Sequence, residues 1–460
     1  MQSKHLSMPR VARGGVKSLI AGAALIGALG FTVAPAMAQN APAAAPAAAS
    51  AAAPAAMPTL KLGIVTFLSG PAAGPFGIPA RNAAELVAEA INKGTLPAPY
   101  NTKGFGGAEA ELAIVDEAGS TTEVVQSFRN LVQRQNVNAV VGYISSGSCL
   151  AVAPVAEELK MLTVFFDCGT PRIFEGAKYN YVFRTSATST MDNVAAARYL
   201  KAKFPNDKSY AGINQNYAWG QDSWRDFDGS MKVLFPKDKD VVSEFPKLFA
   251  GTYDAEISTL LVDHPDVVHS SLWGGDLESF TLQASARGLE KRSRMVLTTG
   301  ETMMFRLRSK IPDGVVLGAR GPYGVLAHKD ALNDWFRKNF QDRYGAPPVY
   351  SAYQMAQAIL GLKVAADKAA NGKGAPTIDA VRAALTGLKY DSFGGHVDMA
   401  LGDGHQAVTE MVYGEFKFDK KSDTPEIVNV AYYPEWCVNP PPGVKSADWI
   451  AGGMKGAKCN

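Results

Sequence analysis

The chain has 460 residues, which is too many for one hydrophobic core and suits two large lobes. Its formal net charge of +3 comes from the first 38 residues, which hold four of the 46 Lys and Arg residues and none of the 43 Asp and Glu residues. The rest of the chain is therefore nearly neutral, which argues against nucleic acid or an anionic membrane surface as the partner.

The N-terminus has the pattern of a cleaved secretory signal. Basic residues up to Lys17 precede an uncharged stretch from Leu19 to Val33, and small residues at Ala36 and Ala38 mark a cleavage site. We expect residues 1–38 to be a signal peptide that is cleaved after Ala38, which places the protein in the periplasm. An uncleaved signal anchor is the alternative. Residues 39–58 are nearly all Ala and Pro and are interpreted as a linker.

The body of the chain alternates short apolar runs with amphipathic segments. The apolar runs predict strands at Leu60–Thr66, Glu111–Asp116, Val137–Tyr143, Met161–Phe166, Tyr210–Asn214, Val267–Leu272, Met295–Thr299 and Val315–Ala319. The amphipathic segments predict helices at Arg81–Asn92, Thr122–Gln135, Met191–Phe204, Leu277–Gly288 and Ala331–Tyr344. Continuous apolar strands that alternate with helices indicate right-handed βαβ units and hence an α/β fold with open, doubly wound sheets.

Three loops that follow predicted strands are small and polar. They comprise residues 68–77, 144–149 and 167–171. Ligands of such folds bind outside the carboxyl ends of the strands, where helix-start amides and Ser or Thr hydroxyls receive a carboxylate or another small anion. The alternative is that these hydroxyl residues only cap their helices.

An ordered series of motifs resembles the branched-chain amino-acid type of periplasmic substrate-binding protein, the capture component of an ABC importer. The series consists of Ser69-Gly70-Pro71 with Gly77, Val141-Gly142 with Ser145-Ser146, Gly169-Thr170, Phe183-Arg184-Thr185, Tyr217-Ala218-Trp219-Gly220, Trp273-Gly274-Gly275 and Asp403-Gly404-His405-Gln406-Ala407. The likeness runs from about Leu60 to Phe418, and the tail from Asp419 is less typical.

The resemblance implies a type I periplasmic binding protein fold, in which two doubly wound open-sheet lobes are joined by three crossover strands. Lobe I would combine residues 59–186 with 322–390, and lobe II would combine residues 187–321 with 391–460. A small-molecule ligand would bind in the cleft between the lobes and pass to ABC permease and ATPase subunits of the inner membrane. We expect a monomer with no cofactor, no bound metal and no catalytic activity.

The resemblance also assigns residues to the ligand. The turns with Ser145, Ser146 and Thr170 would grip the carboxylate of the ligand, and the carbonyl of Cys168 with the acid Glu301 would take an α-ammonium group. Phe76, Trp219 and Tyr350 would enclose the side chain of the ligand. The alternatives are a solvated helix-start acid for Glu301, surface packing for Trp219 and an ordinary core position for Tyr350.

Departures from the family pattern leave the identity of the ligand open. Asp276 stands where the family often has a tyrosine, and it offers a second acid beside Glu301. Gly147 and Cys149 replace hydroxyl residues in the serine turn. A branched-chain amino acid, an aromatic acid, an amide and a polyamine all remain candidates.

The four cysteines of an exported chain are expected to form bridges. Cys149 and Cys168 lie on loops that follow consecutive predicted strands, so these two loops are expected to be neighbours. Cys437 and Cys459 remain in a tail rich in Pro and Gly. The pairs Cys149–Cys168 and Cys437–Cys459 are therefore preferred to the two crossed pairings.

Two other functions compete with the importer function. A hydrolase acting on amides is disfavoured, because the Ser-rich turn at 145–149 lacks the Gly-x-Ser-x-Gly frame and the six histidines have no metal-ligand spacing. A binding protein that reports a solute to a signalling receptor has the same fold. The importer function is preferred, because no predicted transmembrane helix or signalling module follows the leader.

Overall fold

The computed structural model describes residues 58–459. The predicted signal peptide at 1–38 and nearly all of the predicted linker at 39–58 lie outside the described residues. Within residues 58–459, no helix combines the length and the apolar character needed to cross a bilayer.

The described chain contains fifteen strands and thirteen α-helices. The strands are β1 (Thr59–Thr66), β2 (Glu109–Asp116), β3 (Ala139–Gly142), β4 (Thr163–Phe165), β5 (Val182–Arg184), β6 (Ser209–Ile213), β7 (Lys239–Glu244), β8 (Val267–Ser270), β9 (Arg294–Leu297), β10 (Val316–Gly318), β11 (Lys389–Ser392), β12 (Gly395–Leu401), β13 (Gln406–Val408), β14 (Met411–Asp419) and β15 (Thr424–Tyr433). The helices are α1 (Ile78–Lys93), α2 (Thr121–Gln133), α3 (Ser146–Glu158), α4 (Arg172–Gly176), α5 (Ser189–Lys203), α6 (Ala218–Leu234), α7 (Asp254–Asp263), α8 (Gly275–Ala286), α9 (Met304–Leu307), α10 (Ala331–Tyr344), α11 (Tyr350–Ala370), α12 (Ile378–Leu385) and α13 (Ser446–Ala451).

The strands form two sheets, one in each lobe. The sheet of lobe I has eight strands in the order β11-β12-β13-β5-β4-β3-β1-β2, and the sheet of lobe II has seven in the order β15-β14-β10-β9-β8-β6-β7. The pairs among β1 to β5 and among β6 to β10 are parallel, whereas β11, β12, β14 and β15 pair antiparallel. The predicted two-lobe α/β fold is confirmed, with the addition that each sheet is mixed.

The lobe boundary expected at residue 390 differs from the membership of the sheets. Strands β12 and β13 belong to the sheet of lobe I, so residues 391–408, expected in lobe II, lie in lobe I. The physical reason is burial, since Val397 and Met399 pack into the same apolar core as Leu62 and Ile64 of β1. The strands that belong to lobe II resume at Met411.

Three segments connect the lobes. They run from β5 to α5 at residues 185–188, from β10 to α10 at residues 319–330, and from β13 to β14 at residues 409–410. Helices cover both faces of each sheet. In β1, for example, the adjacent residues Ile64 and Val65 point to opposite faces and belong to different apolar clusters. The carboxyl ends of the parallel strands, with the loops that follow them, form the facing walls of the lobes.

The C-terminal tail folds back on lobe II. Trp449 and Ile450 of α13 share an apolar cluster with Phe227 and Met231 of α6. Both predicted disulfide bonds, Cys149–Cys168 and Cys437–Cys459, are present. The first connects helix α3 to the loop that follows β4 in lobe I, and the second closes the tail.

Candidate functional site

A narrow cavity lies between the two lobes. Lobe I contributes Phe76, Ile144, Asp167, Gly169 and Tyr350, lobe II contributes Tyr217, Trp219, Trp273 and Thr299, and the middle connecting segment contributes Arg320. These side chains leave a space of about 10 Å³, close to the volume that one water needs. The lobes therefore have to separate before a solute can enter.

Aromatic side chains from both lobes contact one another across the cavity. The ring of Phe76 lies 5.4 Å from that of Trp273 and 5.3 Å from that of Tyr350, both edge to face. Trp219 donates its indole N–H to the carbonyl of Ser271 at 2.8 Å, which holds the ring in place. Phe76, Trp219 and Tyr350, the three aromatic residues expected at the ligand, thus lie together at this cavity. Such flat apolar surfaces suit a planar or branched apolar group.

Arg320 is the cation of the cavity, and the sequence analysis did not identify it. Its side chain is 4% exposed. Its Nη1 donates to the carbonyl and the carboxylate of Asp167 in lobe I, and its Nε donates to Asp192 in lobe II at 3.1 Å. The guanidinium carbon lies 4.6 Å from the ring centroid of Trp219, within the range of a cation–π contact. Arg320 therefore joins the two lobes at the inner end of the cavity.

The two carboxyl groups that pair with Arg320 are fully buried. Burial raises the pKa of Asp167 to about 7 and that of Asp192 to about 6, although Arg320 acts in the opposite direction on both. Burial also disfavours the charged guanidinium, but Asp192 and Asp167 outweigh it and raise the pKa of Arg320. Within the described chain, Oδ2 of Asp167 has no hydrogen-bond partner. The cavity wall thus carries a cation and a carboxylate oxygen that is available for a further contact.

The serine turn is occupied by a carboxylate of the protein itself. Oε2 of Glu117 accepts the amide of Ile144 at 2.8 Å, and Oε1 accepts the amide of Ser145 at 2.9 Å. The hydroxyl of Ser146 accepts the amides of Gly169 and Thr170, each at 3.2 Å. The backbone amides of this turn are therefore engaged within lobe I, and neither Ser145 nor Ser146 lines the cavity. Burial raises the pKa of Glu117 to about 8.

The Cys168–Thr170 loop is also bound by neighbouring side chains. The hydroxyl of Thr170 donates to Asp222 of helix α6 in lobe II at 2.6 Å. The carbonyl of Cys168, expected to take an ammonium group, accepts from Arg184 at 2.9 Å. These contacts fix the loop and connect it to the opposite lobe, and neither Thr170 nor Cys168 lines the cavity in this conformation.

Glu301 lies between the lobes but outside the wall of the cavity. Its Oε2 accepts the amide of Tyr350, the first residue of α11, at 2.9 Å. A carboxyl group at a helix N-terminus is a favourable arrangement. Burial nevertheless raises the pKa of Glu301 to about 8, and its Oε1 has no partner among residues 58–459. The structure therefore places Glu301 as a contact between lobe II and a helix of lobe I.

Asp276 organises loops of lobe II. Its carboxylate accepts from the side-chain amide of Gln215 and from the backbone amide of Phe249, each at 2.7 Å. Asp276 is 1% exposed and does not line the cavity. In the described part of the chain, no group of three His, Cys, Asp or Glu side chains is placed to hold a metal ion.

The three charged residues that sequence reasoning missed share one signal. Glu117 follows β2 directly, Asp167 follows β4 by two residues, and Arg320 follows β10 by two residues. Each stands at the carboxyl end of a parallel strand, the place where this class of sheet collects its polar side chains. The strand pattern therefore predicts where these three residues lie, but it does not predict which groups they bind.

Comparison with known proteins gives a result that agrees with the two-lobe fold described above. A family model described as "Periplasmic binding protein" matches residues 59–422. No curated protein sequence matches the chain.

Several solved structures share the fold. An ABC-transporter solute-binding protein of Rhodopseudomonas palustris BisB5, in complex with 3,4-dihydroxybenzoic acid, is 21% identical with a TM-score of 0.71, covering 83% of this chain and 99% of its own. A second R. palustris solute-binding protein, in complex with benzoate, is 19% identical with a TM-score of 0.71, covering 84% and 99%. A leucine-binding protein of Thermotoga maritima MSB8 is 17% identical with a TM-score of 0.66, covering 81% and 98%.

Proposed function

Because the chain belongs to the family of periplasmic binding proteins, we propose that it captures a small amino acid or carboxylate between its lobes for an ABC importer. The solute then passes to a permease and ATPase subunits in the inner membrane. Residues 1–38 direct export to the periplasm, where the protein acts as a monomer. Binding requires no bond making, since closure of the lobes around the solute is the whole mechanism.

The observation that carries this proposal is the pairing of opposite charges beside an aromatic wall. Arg320 is bonded to Asp167, Asp192 and the carbonyl of Ala187 in this conformation, and we infer that a solute carboxylate replaces one of these contacts when the lobes open. Oδ2 of Asp167, which has no partner among the described residues, offers an acceptor to an α-ammonium group. Phe76, Trp219 and Tyr350 supply the apolar surface for the remainder of the solute. This combination suits an amino acid with a branched or aromatic side chain.

A second candidate is an aromatic acid without an amine. Five of the ten residues that line the cavity are aromatic, namely Phe76, Tyr217, Trp219, Trp273 and Tyr350. Two of the solved structures with this fold were determined with benzoate or 3,4-dihydroxybenzoic acid. In this case Arg320 takes the carboxylate and Asp167 keeps its proton, in accord with its raised pKa.

A matched set of solutes separates the two candidates. Phenylalanine, 3-phenylpropionate and phenethylamine present the same ring with both charges, the carboxylate alone or the amine alone. We expect a bound solute to raise the melting temperature of the purified protein by mass action, and calorimetry then gives its affinity. Phenylalanine or leucine binding at least tenfold more tightly than both single-charge analogues supports the amino-acid function. Tighter binding of 3-phenylpropionate or benzoate supports the second candidate, and no binding by any of them contradicts the proposal.

The role of Arg320 has its own test. Arg320→Lys keeps the positive charge but loses the forked guanidinium, so we expect at least tenfold weaker binding of the preferred solute. Arg308→Lys is the matched control, because Arg308 pairs with Asp423 and does not line the cavity. Equal losses in the two variants would contradict a direct role for Arg320.

A further inference from the structure

A second and larger cavity lies where the C-terminal tail meets lobe I. It has a volume of about 400 Å³, within the range of small-molecule sites. Its walls come from α4 and the residues after it, from the ends of β5 and β12, and from tail residues 439–446. We call it the tail cavity. It shares no lining residue with the cavity between the lobes.

Arg184 lines the tail cavity and has an incomplete set of partners. Its side chain is 0% exposed. Nε donates to Gln406, and Nη1 donates to the carbonyls of Cys168 at 2.9 Å and Thr170 at 2.7 Å. Nη2 has no partner within the described residues. All of the recorded acceptors are neutral, so the guanidinium is buried without a directly bonded anion.

The charge of Arg184 is correspondingly disfavoured. Burial and the nearby Arg320 lower the pKa of Arg184 to about 9. Buried charges in proteins are normally paired, because an isolated ion loses its hydration without compensation. Nη2 is not exposed to solvent in this conformation, so an anion has to displace part of the cavity wall to become its missing partner.

The remaining walls indicate what kind of anion fits. Phe174, Leu401 and Val444 present apolar surface, and the guanidinium carbon of Arg184 lies 5.7 Å from the ring centroid of Phe174. Asn439 is 2% exposed, and its Oδ1 also has no partner in the described chain. This combination favours a molecule with one charged end, an apolar body and space for one donor group.

The carboxyl group of the same wall is bonded to the tail rather than to the guanidinium, although its charge favours the protonated form of Arg184. Glu175 accepts the amide of Ser446 at 2.9 Å and also its hydroxyl. Burial raises the pKa of Glu175, which favours its neutral form. At the rim, Asp403 pairs with Lys178 at 2.8 Å.

We propose that the tail cavity is a second binding site, separate from the cleft between the lobes, that takes a small organic carboxylate. Nη2 of Arg184 binds the carboxylate, and the apolar wall covers the hydrocarbon part. Residues 439–446, which form part of its wall, lie beyond the part that matches the family model.

An occupant of this site contacts both lobes. The tail packs through α13 on α6 of lobe II, whereas Arg184 and Phe174 belong to lobe I. Arg184 also holds the carbonyls of Cys168 and Thr170, which lie next to the cavity between the lobes. A ligand bound in the tail cavity therefore acts on the loop with Cys168 and Thr170, which lies next to the cavity between the lobes.

The test uses butyrate as the probe, with butyramide as its neutral counterpart. We expect butyrate to bind the purified protein saturably in calorimetry and butyramide to bind at least tenfold more weakly. Val444→Trp fills the tail cavity from its exposed side and should weaken butyrate binding at least tenfold. Val262→Trp, at a residue of α7 that is 75% exposed, is the control and should leave binding unchanged. Equal binding of the amide, or unchanged binding in Val444→Trp, overturns the proposal.

Two further measurements locate the probe. Arg184→Gln should abolish butyrate binding, and if that variant does not fold, Val444→Trp alone decides. In crystals grown with 4-bromobutyrate, a bromine peak inside the tail cavity supports the proposal. A peak only in the cleft between the lobes overturns it.

Discussion

The carboxylate of Glu117 accepts a hydrogen bond from the backbone amide of Ser145 at 2.9 Å, both within lobe I. The turn that the family resemblance assigned to the carboxylate of a ligand thus already holds a carboxylate of the protein. Glu117 and Ser146 together accept four backbone amides of this turn and the neighbouring loop, so those amides are not free for a solute in this conformation.

The first prediction concerns Ser146. Ser146→Ala removes the acceptor of two buried amides and should cost about 1–3 kcal/mol of unfolding free energy. Solute affinity should change less than threefold, because the hydroxyl is engaged within lobe I. Urea denaturation and calorimetry measure the two effects, with exposed Ser258→Ala as the control. A tenfold loss of affinity without a loss of stability would restore the direct role that the family resemblance implies.

The second prediction concerns the bond between the lobes from Thr170 to Asp222. Thr170→Val keeps the shape of the side chain but removes a hydrogen bond to a buried carboxylate, worth about 2 kcal/mol. Since the bond exists only when the lobes are together, we expect at least tenfold weaker solute binding and a larger radius of gyration in solution scattering. Thr259→Val, within α7, is the control. Unchanged scattering and affinity would show that this bond does not hold the lobes together.

The third prediction concerns Gly169, which lies against Trp219. A Cβ at residue 169 would stand 2.2 Å from Cζ3 of Trp219, so Gly169→Ala has to displace the indole. We expect at least tenfold weaker solute binding and a shift of tryptophan emission to longer wavelength. Gly176→Ala is the matched control, because nothing lies within 4 Å of its added Cβ. Normal binding by Gly169→Ala would contradict the closed position of Trp219.

The fourth prediction is a pH dependence that comes from Glu301. Its ordinary pKa of 4.5 is raised to about 8 in the folded protein, mainly by burial. Between these values the folded state binds a proton that the unfolded state lacks, so stability falls as the pH rises from about 4.5 through 8. Glu301→Gln removes this contribution and should show a flatter decline.

Urea denaturation of both proteins at intervals from pH 5 to pH 9 measures that difference. Other buried acids, such as Asp167, contribute equally to the two curves and cancel in the comparison. Parallel curves for the wild type and Glu301→Gln would mean that Glu301 is already ionised in the folded protein.

The sequence was a good guide to the strands that are buried on both faces. The runs at Leu60–Thr66 and Val267–Leu272 correspond to β1 and β8 because strands covered by helices must be apolar throughout. The motif series also identified the family correctly, as the match over residues 59–422 confirms. Strands β5, β7 and β11 to β15 were not predicted, and polar residues such as Asp391 and Gln406 interrupt the apolar pattern in several of them.

The candidate site could be predicted only in part. Phe76, Trp219 and Tyr350 meet at the cavity as expected, since large aromatic side chains at or just before the starts of helices that face the cavity need burial. The polar contacts depend instead on which donor meets which acceptor, and one-dimensional spacing does not contain that information. Glu117 and Arg184 bind loops that come from other segments of the chain. No pattern of neighbouring residues therefore predicts that they occupy the amides and carbonyls of those loops.

Arg320 joins ligand recognition to hinge geometry through its own backbone. It belongs to the middle connecting segment and has a φ of +54°, a left-handed conformation that costs a residue with a side chain some energy. A rotation of the lobes that relaxes this torsion would swing the guanidinium away from Asp167 in the same movement. The affinity for the ligand and the angle between the lobes would then depend on the same residue, so a substitution at Arg320 that changes one would also change the other.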